Sequence, residues 1–172
     1  MNLLVYLDND VASGLTQRDL PDVEGEALDQ LVEWDQKGRV TFGTSRQSLR
    51  EMERAPAPHR DNLKRGLANV PLAQDDHRVL DSFTVVDPYR GCIANPLVTD
   101  VVDGPLYAKL LVAGLKPDDA KHFMYAAHNH YAWFLTCDRD FLRRIPELEK
   151  LCPSIRVGKP SQLVAWLRAV GS

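Results

Sequence analysis

The chain has 172 residues, 44% apolar and 26% charged, with a formal net charge of −3. That length predicts one domain with a substantial core, and its apolar runs are too short to span a bilayer. The slight acidity excludes a protein that coats nucleic acid through general basicity, but not a nuclease whose acids meet phosphate through a metal. Cys92, Cys137 and Cys152 are isolated and odd in number, which argues against a disulfide framework or a thiolate zinc site. An N-terminus without a charged region and cleavage site adds the expectation of a reduced, cytoplasmic protein with no membrane partner.

In chain order, Leu3 to Leu7 is a continuous apolar run, as in a strand buried on both faces of a parallel sheet, and it ends on Asp8-Asn9-Asp10. Residues 23 to 37 are helical in pattern, with Leu28, Leu31 and Trp34 as a buried stripe and Gly38 as the stop. Arg39 to Gly43 makes a second strand. Thr44 or Ser45 caps a helix from Arg46 to about Ala55, with Leu49 and Met52 inward. Pro56 and Pro58 break it, and a helical piece follows from Arg60 to Ala68.

From about residue 69 to 115 the chain is loop-rich, with Pro88, Gly91, Pro96, Gly104 and Pro105. Ser82 to Val86 is a third strand there, and Leu106 to Ala113 is a helical fragment. Next comes a helix opened by Pro117 and Asp118. Asp119, Phe123, Ala126 and His130 share one of its faces, with Ala127 beside them. Ala132 to Thr136 is a fourth strand, with Asp138 and Asp140 just past its end; Ser154 to Val157 is the last. Lys159 to Arg168 closes the chain as an amphipathic helix.

Strands alternating with helices predict an α/β sandwich with a mainly parallel sheet. Asp8 and Asp138 then follow the carboxyl ends of strands, Asp119 starts a helix at the same edge, and Glu51 leans over that rim. In open α/β sheets this edge is where ligands bind. Like charges so close raise each other's pKa, and a hard divalent cation such as magnesium relieves the conflict. A cation on carboxylates activates water and neutralises a scissile phosphate, so metal-assisted phosphodiester hydrolysis is the expected chemistry.

Structural alternatives stand beside each of these residues. Asp8 and Asp10 suit an Asx turn, and Glu51 could pair with Arg54 on a helix surface, leaving Glu53 as the site residue. Asp118 and Asp119 suit a helix N-terminus. Asp138 suits a cap at Arg139, and Thr136 suits any strand. His122 faces away from the apolar stripe, which points to a structural or surface role. His128-Asn129-His130 is no HNH motif, which is spaced over a ββα-metal fold rather than a tripeptide, and these two histidines leave a helix on different faces. The arginines Arg46, Arg50 and Arg54, and Arg139, Arg143 and Arg144, form basic stripes beside the acids. They read either as phosphate-backbone contacts, for which Arg46, Arg50, Arg139 and Arg143 are the candidates, or as solvated faces.

Several pieces, in order, resemble the PIN-domain nucleases, the family that includes the VapC-type toxins. They are Leu7-Asp8-Asn9-Asp10-Val11, then Ser45 with Ser48-Leu49 and Glu51-Met52, and Asp119-Ala120 with His122, Ala126 and Ala127. Phe134-Leu135-Thr136, Asp138 and Asp140-Phe141 follow, and Val157, Pro160 and Leu163 end the series. The resemblance implies a three-layer α/β/α sandwich with about five strands. It implies Asp8, Glu51, Asp119 and Asp138 as the catalytic acids, with metal held by Asp8, Asp119 and Asp138, and Asp140, Thr136 and Asp10 as auxiliary groups. It further implies Mg2+ or Mn2+, single-stranded RNA as substrate, a homodimer, and the toxin's place beside an antitoxin protein. A haloacid-dehalogenase-like phosphatase is the rival enzyme. It would use Asp8 and Asp10, with Thr44, Lys109 or Lys116, and Asp138 with Asp140, but leaves Glu51 and Asp119 without a role. An inactive PIN-like binding module is the non-enzymatic alternative.

Overall fold

The computed structural model describes residues 2–17, 19–74, 77–87 and 91–170; of residues 17, 79–87 and 91–98 it describes the backbone alone. Pro88 and the side chain of Cys92 therefore lie outside the described part, while Cys137 and Cys152 are free thiols. The chain opens with β1 (Leu3–Leu7) and α1 (Asn9–Gln17), then α2 (Asp22–Gln36) and β2 (Val40–Gly43). Next come α3 (Arg46–Arg54), α4 (Ala57–Leu67), β3 (Arg78–Asp87), β4 (Gly91–Thr99) and α5 (Gly104–Val112). After α6 (Pro117–His128) and β5 (Trp133–Leu135) come α7 (Arg139–Leu142), α8 (Ile145–Leu151), β6 (Arg156–Gly158) and α9 (Pro160–Val170).

Among the described residues the main sheet has four strands, all parallel, in the order β2-β1-β5-β6. Alternation along the strands sends side chains to two separate cores. Val5, Leu7, Trp133 and Leu135 join residues of α1, α2, α4 and α9, including Leu28, Leu31, Trp34 and Leu163. Tyr6, Phe134 and Val157 join residues of α5, α6 and α8, including Leu110, Phe123 and Leu148. Helices thus cover both faces, an arrangement compatible with three α/β/α layers. Burying each large side chain stabilises the fold by about 1.5–3 kcal/mol, which explains the near-continuous apolar runs of β1 and β5. Among the described residues, no helix is long and apolar enough to cross a membrane.

Several expectations change. Among the described residues the sheet has four strands where about five were expected, and β3 pairs with β4, antiparallel, as a separate two-stranded ribbon. A connection as short as residues 88–90 can only return the chain antiparallel, since a parallel pair needs a long crossover. Pro96 sits within β4, opposite Ser82, because each strand of a two-stranded ribbon keeps an outer edge where no N–H is required. The segment is consequently less loop-rich than its prolines and glycines suggest.

Helix α1 was not evident in the sequence. It packs against α4 so closely that a Cβ on Gly66 would stand 2.6 Å from the Ala12 carbonyl oxygen. Helix α3 turns Gln47 and Ser48 inward, while Leu49 and Met52 are only partly buried. Its inner surface is polar because it borders the site described below. His130 lies beyond α6, exposed, at φ 59°, so it does not share the helix face with Asp119.

One buried acid ties together two helices on the same face of the sheet. Glu24 of α2 accepts hydrogen bonds from Ser161 N and Ser161 Oγ, both at 2.9 Å, and is 6% exposed. It caps the first turn of α9 from another helix, where a carboxylate also suits the helix dipole. Glu24→Ala strands these donors and should lower unfolding stability by about 2 kcal/mol, measured by urea denaturation.

Candidate active site

The carboxyl edge of the sheet collects side chains from four parts of the chain. Asp8 leaves the end of β1 and is buried. Its Oδ1 accepts from Asn9 N at 2.8 Å and its Oδ2 from Thr136 Oγ1, past the end of β5, at 2.9 Å. Asp10 lies in the first turn of α1. Its Oδ2 accepts from Cys137 N at 2.6 Å and lies 3.5 Å from the Thr136 hydroxyl; its Oδ1 accepts from Val11 N at 2.6 Å. Thr136 Oγ1 also accepts from Asp138 N at 3.0 Å. The adjacent strands β1 and β5 are thereby tied at their ends by one buried hydroxyl, which sits between the Asp8 and Asp10 carboxylates.

Asp138 caps α7, accepting from Asp140 N at 2.5 Å through Oδ1, a role that leaves its second oxygen for other work. Asp119 stands in the first turn of α6. Glu51 reaches over from α3 and accepts from Gln47 Nε2 at 2.9 Å, from His122 Nε2 at 3.1 Å and from Asn9 Nδ2. The alternative pairing of Glu51 with Arg54 does not occur: Arg54 lies 3.6 Å from Asp118, and Glu53 is exposed.

Mutual charge marks these groups as neighbours. Burial, then the charges of Asp8 and Asp138, push Asp10 up to about 7. Burial and the same two charges raise Asp119 to about 6, against the pull of Lys116. Asp8 is also raised, by burial and by Glu51, against His122 and its hydrogen bonds. Burial raises Glu51 too, but the hydrogen bond and charge of His122, with Gln47 and Asn9, outweigh it and hold this carboxylate below its ordinary value. Asp8, Asp10 and Asp119 are thus pushed towards protonation, while Glu51 is held below its ordinary value.

The predicted periphery is arranged differently. The Asp140 carboxylate points to the rim, 3.7 Å from Lys116 Nζ and 3.9 Å from Arg143. Arg50 is engaged with Asp100 at 2.6 Å, and Lys121 meets the same carboxylate at 2.7 Å. Arg46 and Arg139 are exposed. Lys116, which is near Asp119 and Asp140, joins Arg143 as a cation beside the acids.

Three site residues were not foreseen. Asn9 and Gln47 hold Glu51, and His122, for which a structural or surface role was expected, is buried against that acid. The spacing of His122 one turn after Asp119 was visible, but α6 is buried on nearly every side at its centre, so no side of it reads as outward. Asn9 Oδ1 is buried with no hydrogen-bond partner. An orphaned acceptor among carboxylates is costly to bury, and suits a cation or water. The donors available are all oxygens, the set that hard divalent cations prefer. As the side chains stand, however, no group of three or more His, Cys, Asp or Glu among the described residues could hold a metal ion.

No protein-family profile, curated protein or solved structure matches the chain.

Proposed function

We propose that this basin is the active site of a PIN-type endoribonuclease that hydrolyses phosphodiester bonds of single-stranded RNA with Mg2+ or Mn2+. What supports the reading most is that Asp119 feels the charges of both Asp8 and Asp138, although 130 positions separate those two in the chain. These three would hold the cation, with Asn9 Oδ1 as a further oxygen donor. When bound, such an ion neutralises charge on the scissile phosphate and acidifies water. Thr136 orients Asp8 and keeps it apart from Asp10. Glu51 stays ionised and orients the attacking water through its carboxylate. Lys116 and Arg143 draw the RNA backbone to the rim.

The fold supports this reading through its parallel sheet, with helices on both faces and the acids at the carboxyl edge. The antitoxin partner and the homodimer rest on the resemblance alone. The phosphatase reading gains no support from Thr44, which is fully buried and directs its hydroxyl to Ser48 Oγ at 2.6 Å and the Leu7 carbonyl at 3.3 Å.

The test incubates purified protein with single-stranded RNA, single-stranded DNA and a small phosphomonoester, with and without Mn2+. RNA cleavage that disappears with chelator is expected; turnover of the phosphomonoester alone would overturn the reading. Thr136→Val keeps the side-chain shape but removes the hydroxyl between the two acids. It should slow RNA cleavage about 10- to 100-fold, read from initial rates at saturating RNA.

A further inference from the structure

We infer that His122 is a positioning residue for Glu51 in the cleavage reaction proposed above, on which this inference rests. His122 is 1% exposed and joins three parts of the fold. Its Nε2 lies 3.1 Å from Glu51 Oε1, its Nδ1 lies 2.7 Å from the Tyr6 hydroxyl, and that hydroxyl lies 2.7 Å from Ser45 Oγ. The chain of contacts runs from β1 and the residue before α3 through α6 to the rim of the basin.

The hydroxyls make this arrangement insensitive to the charge on the imidazole. With a neutral ring, Ser45 donates to Tyr6, Tyr6 donates to Nδ1, and Nε2–H donates to Glu51. With a charged ring, Nδ1–H donates to Tyr6 and Tyr6 donates to Ser45, while Nε2–H still donates to Glu51. Both imidazole nitrogens keep a hydrogen-bond partner in either state, and the hydrogen bond to Glu51 persists in both.

The relay is also rigid. The Tyr6 ring stacks on Phe134, with centroids 5.2 Å apart and planes at 8°. It meets Tyr131 edge-on at 5.5 Å, and the Tyr131 ring occupies the space where a Cβ on Gly43 would lie. Without His122, Glu51 would keep only the neutral amide donors of Asn9 and Gln47. A long carboxylate on a helix rim then regains rotamers that point away from the attacking water. Sequence placement alone could not show this, because Tyr6, Glu51 and His122 are distant along the chain.

The experiment compares wild type, His122→Asn, His122→Gln and His122→Met in Mn2+-dependent cleavage of single-stranded RNA, with rates expressed per folded molecule. Asn cannot reach Glu51, whereas Gln places an amide N–H near the position of Nε2. Asn and Met should lower kcat about tenfold or more with KM for RNA unchanged, and Gln should recover most of the loss. Adding His122→Met to Glu51→Gln should cost nothing further. If the Asn variant does not fold, the Gln and Met pair decides: equal kcat for the two overturns the positioning role. An active wild type with undiminished kcat in His122→Met likewise overturns this inference alone, whereas a wild type that cleaves no RNA overturns the nuclease reading and the inference with it.

Discussion

Asp119→Asn is expected to remove Mn2+-dependent RNA cleavage, lowering the rate by more than about a hundredfold, while leaving the protein folded. The side chain is half-buried in the first turn of α6, where its charge is opposed by Asp8 and Asp138. Asparagine preserves its size and removes that repulsion. Without divalent cation the variant should therefore melt at or above the temperature of the wild type. Loss of activity with unchanged or higher Tm separates a functional acid from a structural one. A structural acid would show the reverse: activity per folded molecule kept, and Tm lowered.

Acidification is expected to stabilise the protein when divalent cations are removed. Asp10 and Asp119 have the ordinary value of 3.8 in the unfolded chain but about 7 and about 6 in the fold. Between those limits the folded state binds more protons than the unfolded one. Stability is therefore full below about 4 and falls as pH rises towards 7. His122, also raised, acts in the same direction. Glu51, whose value is lowered, opposes it only near and below its ordinary 4.5. Going from about pH 8 to about pH 5.5 should raise Tm by about 5 °C in chelator, and Asp10→Asn should remove much of the gain. Protons and cation compete for the same oxygens, so Mn2+ should raise Tm more at the higher pH. Differential scanning calorimetry at both pH values, with chelator and with Mn2+, checks the sign.

The parallel strands were legible because a strand covered on both faces must be apolar throughout, as Leu3 to Leu7 and Trp133 to Leu135 are. The acids at their ends were legible because a carboxylate just past such a strand has few packing reasons to be there. Helix α1 was hidden by Asp8-Asn9-Asp10, whose local hydrogen bonds suit a turn as well as a helix start. Strand β4 was hidden by Pro96, since a proline argues against a strand unless an outer edge is known in advance. The polar inward face of α3 could not be read at all. Gln47 and Ser48 are buried because Glu51 and Thr44 bond to them, and those pairings exist only once the chain has folded. His122 shows the same limit: its spacing was plain, but its two partners come from β1 and α3.

A Mn2+-soaked crystal offers the most direct test, because manganese scatters anomalously and reports its own position. An anomalous peak is expected between Asp8, Asp119 and Asp138, lost in Asp119→Asn. An RNA-cleaving protein whose soaked crystals show no manganese at these carboxylates would contradict the proposed metal site.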